Sequence, residues 1–116
     1  MEPRHNHRLK KVSSLIQEEV GKIINSEIDL PRDVLITVIS VEISIDIKHA
    51  KIYISVLPKN KTASTFKTLN HKISQIQRSL NRKLVMKFVP QIRFELDKTQ
   101  DKMQRIAELI EKNIKR

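Results

Sequence analysis

The sequence contains no cysteine and no tryptophan, and its 116 residues include a single glycine, Gly21. Without cysteine there can be no disulfide framework, thiol nucleophile or thiolate zinc site. A lone glycine inside an amphipathic segment cannot build a phosphate-cradling loop or a dinucleotide fingerprint, both of which need several at fixed spacing. Aromatic side chains are scarce: Tyr53, Phe66, Phe88 and Phe94 are the full set, and Phe66 and Phe94 fall on apolar stripes. A base-stacking sheet platform is therefore not expected. No apolar run approaches the length of a membrane span, and "MEPRHNHRLKK" at the start lacks the apolar stretch of a secretory signal. These absences point to a cytoplasmic location, with no membrane partner and no cofactor.

Catalytic groups are equally hard to assemble. His5, His7, His49 and His71 show no metal-ligand spacing, so no metal site is expected. Glu18, Glu19, Glu108 and Glu111 lie in helical patterns where surface solvation accounts for them. A general acid/base pair would need two such groups converging in a cleft. Serines are plentiful, but none sits in a nucleophile elbow. The sequence reads as a binding protein without catalytic residues.

What the chain does have is positive charge. Lys and Arg number 23 against 13 Asp and Glu, for a formal net charge of +10. Such a field favours polyanions: nucleic acid first, an acidic membrane second and an acidic protein third. With few aromatics, the route left for nucleic acid is recognition of backbone and shape by Lys, Arg and helix termini.

Periodicity gives the elements. From Arg8 to Ile28, apolar residues recur at helical spacing through Leu9, Val12, Ile16, Val20 and Ile23, and Pro31 closes the segment. "VLITVISVEISID" (34–46) is rich in β-branched residues and reads as a strand, with Val41, Ile43 and Ile45 on one face. Val34, Ile36 and Val38 have the opposite parity, which predicts a bulge at Val38–Ile39 or a strand covered on both faces near its start. "AKIYISVLP" (50–58) alternates through Ile52, Ile54 and Val56, and the short link before it predicts an antiparallel hairpin. The polar connector 58–65 offers a serine or threonine as helix cap. Phe66, Leu69, Ile73, Ile76, Leu80 and Leu84 then share one helical face, and periodicity alone predicts one helix from about Ser64 to Val85. Lys67, His71, Gln75, Arg78 and Arg82 lie nearly opposite, forming a basic stripe with Lys83 beside it. "QIRFELD" (91–97) is a third strand with Ile92, Phe94 and Leu96 inward, and residues 99–116 return to helical spacing. The predicted class is α+β: a three-stranded sheet with packed helices, in a single domain over 1–116 with residues 1–7 flexible.

Several strings, in this order, resemble the ribosome-binding factor A family: Pro31-Arg32, "VEIS" with Asp46, "AKIYIS" (50–55), "IQRSLNRKL" (76–84) and "VPQIRFELD" (89–97). The resemblance runs through most of the chain. It implies a KH-like fold of type II, in the order α-β-β-α(-α)-β-α, in a monomeric factor for the small (30S) ribosomal subunit and its 16S rRNA. The family acts late in subunit maturation, is linked to 16S rRNA 5′-end processing, supports growth in the cold and is not itself the nuclease.

The family also interrupts its long helix at an Ala-x-Gly sequence near the nucleic-acid surface, which aligns here with Ile73, Ser74 and Gln75. That alignment predicts a backbone irregularity within 72–76, with Ser74 as N-cap of the following turn. With the basic stripe, the expected RNA-binding residues are Lys67, His71, Ser74, Gln75, Arg78, Arg82 and Lys83. Such factors often carry a charged C-terminal extension, whose role is not transferred to a sequence ending at Arg116. No feature points to a particular assembly GTPase as partner. A general nucleic-acid-binding module or DNA-binding regulator, and a domain docking on an acidic protein, are the other functions the charge allows.

Overall fold

The apolar stripe of the first segment buries Val12, Ile16, Val20, Ile23, Ile24 and Ile28, and this burial holds α1 (Pro3–Glu27) against the sheet. A computed structural model describes residues 3–97; the predicted helix over 99–116 lies outside them. Helix α1 begins at Pro3, ahead of the expected Arg8, since proline fits a first helical turn whose N–H groups have no partner anyway. Beyond α1, the Val34 N–H donates to Pro31 O at 3.1 Å and turns the chain into the sheet.

Strands β1 (Leu35–Ile43) and β2 (His49–Leu57) form the antiparallel hairpin, and β3 (Gln91–Leu96) pairs in parallel with β2, giving the order β1-β2-β3. The β1–β2 register shifts between Val38 and Ser40, so the bulge lies where the parity change placed it. Its carbonyls are satisfied from the helix. Gln17 Nε2 donates to Val38 O at 3.1 Å and to Ile39 O at 3.3 Å, and Ser13 Oγ, one turn earlier, donates to Val41 O at 2.8 Å.

Strand β1 is shorter than 34–46, and Ile45, expected inward, is 78% exposed. The chain has already turned there. Ser44 N–H donates to His49 O and Ile47 N–H to Ser44 O, both at 2.9 Å. The Asp46 carboxylate accepts from Ser44 Oγ at 2.7 Å and from the Lys48 N–H at 3.1 Å.

The helical face of the sheet buries Ala50, Ile52, Ile54, Val56, Ile92 and Phe94 against α1, α2 (Thr62–His71) and α3 (Ile73–Lys83). Leu69, Ile76 and Leu80 close the core from the helix side with no exposure at all. A 3-10 turn over Lys59–Lys61 leads into α2, whose N-cap is Lys61 without a side-chain bond. The expected serine or threonine cap is not used, because Ser64 Oγ instead donates back to Lys61 O at 3.1 Å. Gln77 fixes the start of β3 to α3: its Nε2 donates to Pro90 O at 3.1 Å, and its Oε1 accepts the Ile92 N–H at 2.8 Å.

Candidate nucleic-acid interface

The junction between α2 and α3 is a single residue, Lys72, at φ −99° and ψ 7°, the sparsely populated bridge region. Its N–H still reaches Thr68 O and Leu69 O, each at 3.1 Å, and its carbonyl accepts from Ile76 N–H at 3.0 Å. Ile73, Ser74 and Gln75 are the first turn of α3, whose N–H groups have no partner within that helix. The irregularity falls within the 72–76 window, at its first position. Two expectations are corrected. The helix is not continuous from Ser64 to Val85, and Ser74 is not the N-cap: Lys72 holds that position without a side-chain bond, and Ser74 is the second residue of α3. One bent residue barely changes the phase of Leu69, Ile73 and Ile76, so periodicity runs across the break undisturbed.

Lys67 and His71 stand exposed one turn apart on α2, and Arg78, Arg82 and Lys83 stand exposed on α3. Ser74 is exposed and Gln75 half-buried. The basic stripe is therefore two groups, one on each helix, with the exposed Lys72 at the joint. Lys72 is an exposed cation that the sequence pattern did not single out.

Arg82 also differs from expectation. Its Nη2 donates to Ser79 Oγ at 3.2 Å, while Ser79, only 1% exposed, donates to Glu27 Oε1 at 2.6 Å. The guanidinium is thus tied into a contact between α1 and α3. A glutamate at 82 would set a second carboxylate towards Glu27, so charge reversal at Arg82 should cost folding stability. Sequence gives no hint of this link, because Glu27 and Ser79 lie 52 residues apart.

No aspartate or glutamate occurs between Asp46 and Glu95. Strand β2 and both helices of the junction therefore carry cations and no carboxylate of their own. The open face of the sheet is mixed by contrast. Arg93 Nε pairs with Glu95 Oε1 at 3.0 Å, and Tyr53 Oη donates to Glu42 Oε2 at 3.2 Å. Desolvation, then the neighbouring Glu42 carboxylate, push the Tyr53 phenol pKa up. Among the described residues, no group of three or more His, Asp or Glu side chains could hold a metal ion, and no helix is long and apolar enough to cross a membrane.

The family model for ribosome-binding factor A matches residues 8–110. This chain belongs to the ribosome-binding factor A family. A curated relative, ribosome-binding factor A of Thioalkalivibrio sulfidiphilus, is 34% identical over 113 residues, covering 97% of this chain and 88% of the relative. Among solved structures, the crystal structure of ribosome-binding factor A from Thermus thermophilus aligns with TM-score 0.65 at 19% identity, covering 76% of this chain and 94% of that one. Coordinates of the Thermus thermophilus factor fitted into a cryo-EM map of a 30S complex align with TM-score 0.62 at 20% identity, covering 73% and 90%. At these identities the structural match concerns the fold, which is the α+β, KH-like arrangement of the family.

Proposed function

We propose that this chain binds the small ribosomal subunit through 16S rRNA phosphates laid along the α2–α3 surface, and that it assists late subunit maturation. The reading is supported most directly by the break at Lys72. It makes Ile73, Ser74 and Gln75 the first turn of a new helix, and at a helix N-terminus backbone donors and the helix dipole favour an anion. Exposed Lys67, His71, Lys72 and Arg78 lie on either side of that terminus in a carboxylate-free stretch of chain, and Arg82 and Lys83 follow along α3. Family membership and the Thermus 30S complex direct the choice of polyanion to rRNA. The protein works as a monomer in the cytoplasm and performs no chemistry. It promotes 16S rRNA 5′-end processing by binding one local rRNA arrangement better than its competitors.

The test is cosedimentation with free small subunits on sucrose gradients. The parent chain should travel with free small subunits rather than with polysomes. Lys67→Glu combined with Arg78→Glu should keep the circular dichroism and melting behaviour of the parent, because exposed substitutions usually shift stability by no more than about 0.5 kcal/mol. The same variant should lose most subunit binding, as two attractive phosphate contacts become repulsive. A folded double variant that cosediments like the parent would remove the α2–α3 surface from the mechanism.

A further inference from the structure

A second cationic feature lies away from the α2–α3 junction. An open groove of about 1020 Å³ runs between the first half of α1, the β1–β2 turn and the segment linking α3 to β3. It is at the upper end of the range for small-molecule clefts, about 300–1,000 Å³. Arg8, Lys11, Lys48 and Lys87 line it, and among the described residues none of these four forms an ion pair. Its one carboxylate, Asp46, is engaged by Ser44 Oγ and the Lys48 N–H within its own turn.

The floor is apolar and unusually open to solvent: Val85 is fully exposed, Phe88 is 77% exposed and Leu15 is 41% exposed. Lys87 Nζ sits 5.7 Å from the Phe88 ring centroid, within cation–π range. Ile47, also in the lining, has φ 59° and is the one non-glycine with positive φ among the described residues. For a β-branched side chain that conformation costs about 1–2 kcal/mol, and such strain gathers at functional sites.

Charge decides among occupants. A second copy of the chain would bring +10 against +10. Residues 98–116 carry six Lys and Arg against three Asp and Glu and are no better matched. We infer that the groove takes an unpaired nucleotide of single-stranded RNA, its base stacked on Phe88 and its flanking phosphates on Arg8, Lys11, Lys48 and Lys87. This rests on the rRNA-binding reading and adds a single-strand subsite to it.

The experiment titrates the full chain with a fluorescent single-stranded RNA decamer and, separately, with an RNA duplex, at one salt concentration. One stacked base contributes about 1–3 kcal/mol, so Phe88→Ala should weaken single-strand binding about 5- to 150-fold and leave duplex binding unchanged. Phe88→Trp should restore it, and the Phe88 ring protons of the parent should move upfield as the strand is added. Equal single-strand affinity of the parent and Phe88→Ala overturns the inference. So does full binding by Phe88→Leu, which would mean an apolar contact rather than stacking. An acidic amphipathic peptide that needs Phe88 when the RNA strand does not would make the groove a protein site instead. If the parent cosediments with small subunits while Phe88→Ala leaves single-strand binding untouched, only the groove assignment fails. If the parent binds neither subunits nor RNA, the rRNA reading fails with it.

Discussion

Asp46 shows how much a single side chain sets in this hairpin. The Ser44 hydroxyl, followed by the Lys48 N–H, holds its carboxyl pKa below the usual 3.8. Because the folded-state pKa is depressed, the stabilisation is present above the unfolded value and is lost as pH falls through the folded one. A carboxyl-detected NMR titration should therefore place Asp46 below 3.8, and Ser44→Ala should move it back towards that value. A midpoint unchanged by Ser44→Ala would mean that the hydroxyl does not orient the turn. Gly21 is the opposite case, a residue whose special freedom is not used. A Cβ built there meets nothing within 4 Å, and Gly21 lies mid-helix in α1. Gly21→Ala should stabilise the chain by about 0.5–1 kcal/mol in denaturant titration, the usual helix-interior difference.

At the scale of elements, what sequence revealed depended on whether the structural feature disturbs a repeat. The bulge at Val38–Ile39 changes side-chain parity, so it is visible in the order of apolar residues. The alternation of Ile52, Ile54 and Val56 and of Ile92 and Phe94 is likewise a direct print of one buried face. The break at Lys72 leaves the apolar repeat intact and is marked by neither glycine nor proline. Only the family pattern pointed to it, two residues downstream of its position. The shortened end of β1 was hidden for another reason: Ile45 continues the alternation after the backbone has left the sheet, because the Ser44–Asp46–Lys48 bonds compete with the ladder. Amide exchange reads the α2–α3 break directly. The amides of Ile73, Ser74 and Gln75, in the first turn of α3 with no partner inside that helix, should exchange faster than those of Ile76 to Lys83. Equal protection across 73–83 would show a continuous helix.

Across the whole molecule, the two faces of the sheet divide the electrostatic work. The open face mixes Glu42, Lys51, Arg93 and Glu95, with the Arg93–Glu95 pair already formed, so it presents no uniform field to a polyanion. The helix side carries Lys67, His71, Lys72, Arg78 and Lys83 exposed, with Glu27 the carboxylate that reaches α3. If that side is where rRNA lies, binding should depend on salt through counterions released from the phosphates it covers. Each contact contributes about 0.7 to 0.9 to the slope of log affinity against log salt. Lys67→Gln with Arg78→Gln should then flatten the slope by about 1.4–1.8 in subunit-binding titrations, since neutral replacements remove contacts without adding repulsion. Arg82→Gln should flatten it less, because that guanidinium is turned towards Ser79. Arg93→Gln, on the opposite face and paired with Glu95, should leave it unchanged. A slope altered by Arg93→Gln but not by the Lys67 and Arg78 changes would place the rRNA on the open sheet face instead.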